Sequence, residues 1–184
     1  MSTLVILGLI FVVGAVFVTI YNSLVKLRTT AESSWSDIDV QLKKRYDLVP
    51  SLVETVKGYA KHESSVFEKV TLARSAAMGA VTPAEAAKQE NIFKDTLKSL
   101  FAVAEAYPEL KANTNFVQLQ SQFQQLEDDI ENARRYYNAV VRDYNIKTET
   151  FPSVIVANMF SFKKREFFEL DSTDERKPIK PDFS

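Results

Sequence analysis

Residues 4–20 read LVILGLIFVVGAVFVTI. Leu4, Val5, Ile6, Leu7, Leu9, Ile10, Phe11, Val12, Val13, Val16, Phe17, Val18 and Ile20 carry the apolar surface, and Thr19 is the one polar side chain. A helix of about 17 residues rises roughly 26 Å, close to the hydrocarbon thickness of a bilayer. A core helix would keep a polar stripe, and this stretch has none. A cleaved signal peptide would need a basic segment before the apolar run and a small-residue cleavage site after it. Here MST precedes the run and YNSLVKLR follows it. The stretch therefore reads as a retained membrane anchor, residues 1–22, and the rest of the chain is organised around it. Lys26, Arg28, Lys43, Lys44 and Arg45 follow the span, which places the short N-terminus outside and the remainder on the cytoplasmic side.

Composition narrows what that remainder does. Cysteine is absent, which excludes disulfides, zinc-thiolate sites and cysteine nucleophiles. The net charge is −1, so a broad nucleic-acid-binding surface is not expected. With 4 glycines in the chain, no Gly-rich phosphate loop can be assembled. The single histidine, His62, cannot supply the paired Glu-x-x-His motifs of a di-iron bundle, and it leaves no common triad to build. No cofactor is expected.

Beyond the anchor the pattern is helical and points to an all-α fold. Leu24, Leu27, Ala31, Trp35, Ile38, Leu42, Tyr46 and Val49 recur in steps of three and four, one face of a helix. Anchor and helix would form one rod over residues 4–47, roughly 66 Å long. Pro50 is expected to end it, with Asp47 capping a second helix that runs to about Ala80. Gly58 inside that helix suggests a close helix contact. Thr82, Pro83 and Glu85 form a capping-box signature for a third helix, which ends near Pro108. Asn115 with Gln118 suggests a second box. The fourth helix carries Phe116, Leu119, Phe123, Leu126, Ile130, Ala133, Tyr137, Val140 and Tyr144, a coiled-coil-like seam with a Gln-rich flank. Short connections imply an antiparallel long-helix bundle over residues 23–170. The segment SVIVANMFSFKKR, residues 153–165, lies near the bilayer surface or folds back over the open end of the bundle. Residues 171–184 have mixed charge and prolines and read as disordered.

Few residues invite a chemical reading. Asp37 and Asp39 are two apart on a helix and face different sides, so they are not a paired acid and base. Trp35, Asp37, Asp39, Arg134, Arg135, Tyr137, Arg142 and Tyr144 are candidates for fixing helix register or an interface. Antiparallel packing could bring the arginines near Asp37, Asp39 or Asp47. The alternative for the arginines is an anion or lipid-headgroup site.

The blocks WSDIDVQLKKRYDLVPSLVETVKGYAKHE (35–63), EAYPELKANTNF (105–116), ARRYYNAVVRDYN (133–145) and FPSVIVANMFSFKKREFFE (151–169) resemble the LemA family. The resemblance covers nearly the whole chain. It implies a bacterial, single-pass inner-membrane protein with a cytoplasmic long-helix bundle, no established enzyme activity, and a relative among magnetosome membrane proteins. It supplies no catalytic residues. The family commonly has Gly-Phe where this chain has Ser161-Phe162, so the tight turn expected there is left open. Two functions fit: a non-enzymatic scaffold that self-associates on membrane lipids, or an adaptor that docks onto another membrane protein such as a protease or signalling receptor.

Overall fold

A computed structural model describes residues 2–169, with side chains from Thr3; the tail at 171–184 lies outside the described residues. The described chain is all-α. It comprises α1 (Ser2–Tyr59), α2 (Ser64–Met78), α3 (Pro83–Glu105), α4 (Pro108–Lys111), α5 (Thr114–Glu149) and α6 (Ser153–Met159). Helix α1 is the one described helix long and apolar enough to cross a membrane, and residues 3–16 are exposed along its surface. The chain is a membrane-associated helical protein.

The chain divides into two compact units. Among the described residues, one contains 2–44 with Gln124–Phe167, and the other contains Arg45–Phe123 with 168–169. In the first, α1 and α5 run antiparallel. Trp35 meets Tyr137, and Ser23 meets Lys147, so position rises on one helix as it falls on the other. Every seventh residue of α5, from Phe116 through Phe123, Ile130 and Tyr137 to Tyr144, is buried, while Leu119 and Leu126 are only half-buried. Of the expected seam positions between them, Val140 is buried and Ala133 is half-buried, so the seam faces the interior mainly at every seventh residue.

The second unit corrects the expected helix boundaries. Pro50 does not end the first helix: α1 continues through it to Tyr59, and the chain turns at 60–63 instead. A proline at 50 cannot donate to the carbonyl four residues earlier, that of Tyr46. The Arg74 side chain on α2 takes the place of that amide, with Nε donating to the Tyr46 carbonyl at 2.6 Å. Arg74 also lies 3.9 Å from Asp47, which is part of the α1 surface and not a cap. Gly58 makes no close contact: a Cβ placed there would meet nothing within 4 Å. The Thr82 box forms as read, with Thr82 Oγ1 accepting from the Glu85 amide at 3.2 Å and the Glu85 carboxylate accepting from the Thr82 amide. At the start of α5 the cap is Asn113, not Asn115. Its Oδ1 accepts from the amides of Asn115 (2.9 Å) and Phe116 (3.1 Å).

A buried ion pair sits in the same unit. Arg45 and Glu90 are each only 2% exposed and are bonded to one another. One Glu90 carboxylate oxygen accepts from Arg45 Nη2 and the other from the Tyr46 hydroxyl. The Arg45 guanidinium lies 5.2 Å from the Phe93 ring centroid and 5.7 Å from that of Tyr46. Burial pushes the Tyr46 hydroxyl far above its ordinary range, and the adjacent Glu90 carboxylate adds to the effect. Removing two charges from water costs several kcal/mol, which a direct contact with added hydrogen bonds offsets.

Two stability predictions follow from this geometry, both read by chemical unfolding of the full chain in mild detergent. Arg74→Ala should cost about 1–3 kcal/mol, because it strands a backbone carbonyl. In a Pro50→Ala background the restored amide fills that role, so the same change should cost less; equal losses in both backgrounds would refute the substitution of Arg74 for the missing amide. Arg45→Met should cost about 3–5 kcal/mol by leaving the buried Glu90 without its cation, and Arg45→Met with Glu90→Leu should recover most of it. A double variant no better than the single one would show that the pair itself stabilises the fold.

Candidate membrane-proximal site

The first unit gathers polar and aromatic side chains where the apolar run of α1 ends. Val156, Ala157 and Phe162 pack with Leu24 and Tyr144 in a buried cluster, and Phe17, Ile20, Tyr21, Val25 and Leu27 pack against it. The Phe160 ring lies 4.7 Å from that of Tyr21 and 5.9 Å from that of Phe17. Phe162 stacks edge-on to Tyr21, with centroids 5.8 Å apart, and the Arg28 guanidinium lies 5.3 Å from its ring centroid. Residues 153–165 thus fold against the base of the anchor helix.

Helix α6 ends in a tight turn despite lacking glycine. Ser161 adopts φ 56°, the left-handed region. The Phe162 amide donates to the Ala157 carbonyl at 2.9 Å and the Ser161 amide to Asn158 at 3.3 Å, the two bonds of a Schellman motif. Phe162 packs in the same buried cluster as Val156 and Ala157, which supplies the hydrophobic contact that accompanies such a turn.

The strap after the turn is held from both sides. The Asn145 side chain accepts from the Arg165 amide and donates to the Arg165 carbonyl, each at 2.9 Å. The Tyr137 hydroxyl donates to the Glu166 carbonyl at 2.8 Å. Arg165 pairs with Glu32 of α1, Lys164 with Glu149, and Lys147 donates to the Ser23 hydroxyl. Burial pushes both the Tyr137 and Tyr144 hydroxyls up, with the Arg165 cation opposing the shift in each case. Both phenols remain neutral, as a hydrogen-bond donor and a packing surface require.

The candidate register residues fall into two groups. Trp35 and Tyr137 meet across the two helices with ring centroids 5.5 Å apart, and Tyr144 is buried. Asp37 and Asp39 are exposed and Arg134 is half-buried. Arg135 turns to Glu131 and Asn132 of its own helix, and Arg142 to its neighbour Asp143. The cation near Asp47 is Arg74. The reading by spacing passed over Arg45, Glu90, Arg74 and Asn145. Two of these carried a signal: Arg45 falls on the buried stripe of Leu42, Tyr46 and Val49, and Glu90 between Ala87 and Phe93. A charge on an apolar stripe announces a partner.

The turn and strap, and the Tyr137, Tyr144 and Asn145 side chains that meet them, lie in the sequence blocks at 133–145 and 151–169. Residues 34–183 match the LemA family. The chain belongs to the LemA family. It is 24% identical over 176 residues to magnetosome protein MamQ 1 and to magnetosome protein MamQ 2 of Paramagnetospirillum magneticum. Each alignment covers 81% of this chain and 64% of the relative, so the chain spans less than two thirds of the length of these MamQ proteins. It is 26% identical over 158 residues to protein LemA of Metamycoplasma hominis, covering 84% of this chain and 71% of that one. The LemA match begins at 34, after the apolar span.

The left-handed turn makes one prediction. A β-carbon at φ > 0 costs about 1 kcal/mol that glycine avoids. Ser161→Gly should raise unfolding stability by about that amount, and Ser161→Val should lower it. A glycine variant no more stable than the parent would mean that the serine is held there without strain.

Proposed function

We propose that this LemA-family chain is a non-enzymatic scaffold, anchored in the bacterial inner membrane by α1, that self-associates through its helical domain and so organises the membrane around it. The observation that carries the reading is the continuity of α1. The apolar span and the helix that bears Trp35 and Arg45 are one element of 58 residues, with no flexible tether between anchor and domain. The similarity to proteins named for the magnetosome supports a role at a membrane. Arginine and lysine after the span support a short N-terminus outside and the domain in the cytoplasm. The exposed Gln-rich flank of α5 offers a surface on which copies can meet.

The test is the mass of the full-length protein, extracted in mild detergent and again in native lipid discs, by light scattering followed by single-particle imaging. A defined, symmetric oligomer is expected in both. A monomer would overturn self-association and favour docking onto another membrane protein. Orientation is read on the same chain, which lacks cysteine: in spheroplasts an impermeant maleimide should label Thr3→Cys before lysis and Ser121→Cys only after it.

A further inference from the structure

Helix α6, residues Ser153–Met159, has two apolar faces and only one of them is covered. Val156 and Ala157 are buried against the base of α1. Phe151, Ile155 and Met159 are spaced four apart, one side of the turn and helix, and are 81%, 53% and 63% exposed. Phe160 is exposed beside them. An exposed apolar patch of this kind, interrupted on the helix only by Asn158, is not built to face water.

The position of α6 states what covers the second face. Phe160 packs on Phe17 and Tyr21, so the end of α6 lies beside the last apolar turn of α1. If α1 crosses the bilayer, Phe160 is fixed at the depth where hydrocarbon gives way to headgroups. Aromatic side chains favour that level. Lys163 follows directly and is exposed, as befits a side chain among headgroups, and anionic lipid would attract it; Lys164 beside it pairs with Glu149.

We propose that α6 is an interfacial foot: Phe151, Ile155 and Met159 insert into the headgroup boundary of the same leaflet from which α1 emerges, with Lys163 at the lipid phosphates. The occupant of the exposed face is lipid. This rests on α1 spanning the membrane and adds a second point of contact, which fixes how the first unit sits on the surface.

Because the chain has no cysteine, single labels report each position without background. Ile155→Cys, Met159→Cys, Val12→Cys and Val81→Cys are each made in the full chain, labelled with an environment-sensitive fluorophore, and reconstituted in vesicles of phosphatidylcholine and phosphatidylglycerol. Lipid-borne nitroxides and aqueous iodide serve as quenchers. The expected result is loss of emission with shallow lipid nitroxides and protection from iodide at 155 and 159. Val12 should respond to deep nitroxides, and Val81 to iodide alone. Iodide quenching without lipid quenching at 155 and 159, while Val12 stays lipid-quenched, overturns the foot and leaves the anchor standing. Shielding from both quenchers at 155 and 159 also overturns it, since protein then covers the face. Loss of lipid quenching at Val12 removes the anchor and the foot together.

Discussion

One hydrogen bond stands behind the shape of α1: Arg74 Nε donating to the carbonyl of Tyr46. A helix interrupted at Pro50 would leave that carbonyl to water and turn Arg45 and Tyr46 away from the residues after the proline. With the carbonyl satisfied from α2, the stripe Leu42, Arg45, Tyr46, Val49, Leu52 and Val56 stays buried on one continuous helix. Pro50 itself is exposed, so its ring occupies the outer surface. The same turn that carries the orphaned carbonyl presents the Tyr46 hydroxyl and the Arg45 guanidinium to Glu90 on α3. Arg74 and Glu90 thus bind neighbouring residues of one helical turn from two different helices. Neither surface charge nor propensity gives that specificity; buried polar groups with a single satisfying arrangement do.

The helical periodicities of this chain were plain to read because they are local. The anchor, the Thr82–Glu85 box and the heptad burial of α5 each depend on residues a few positions apart. Pro50 misled because its compensation comes from a side chain 28 residues beyond the carbonyl it relieves. No local rule sees that donor, and the proline rule holds only when none exists. The Asn113 cap was displaced by two residues for a smaller reason: Asn113 and Asn115 are both good capping residues, and only backbone geometry chooses between them. Arg135 and Arg142 were read as cross-helix partners on face-sharing alone. Each instead meets an acid on its own helix, where the chain already holds the two together.

The strap from Ser161 to Glu166 shows a different kind of legibility. Its blocks stood out as sequence, yet their meaning is a set of side-chain to backbone bonds. Asn145 reproduces with one amide group what a neighbouring strand would offer Arg165, one donor and one acceptor. Tyr137 serves the Glu166 carbonyl in the same way, and also packs on Trp35. A segment without regular structure needs such partners, because a backbone against a packed surface cannot leave its polar groups unmatched. Aspartate at 145 could accept from the Arg165 amide but would face its carbonyl with like partial charge, so the block favours asparagine there on physical grounds.

What is left after these assignments bears on function. Arg45 and Tyr46 both donate to Glu90, and Tyr137 and Asn145 are bonded to backbone. These side chains are spent on holding segments in place, in interiors that admit little solvent. The features without an internal purpose are surfaces: an apolar span, the outward face of α6 and the polar flank of α5. An apolar surface that survives alongside a well-satisfied interior is retained for a medium other than water. If the span crosses the membrane, that medium is the bilayer core. For α6, which packs on the span's last turn, continuity makes it the bilayer's edge. A helix pinned at two depths by two separate contacts resists tilting as one pinned by its span alone does not, and the proposed scaffold role would draw on that resistance.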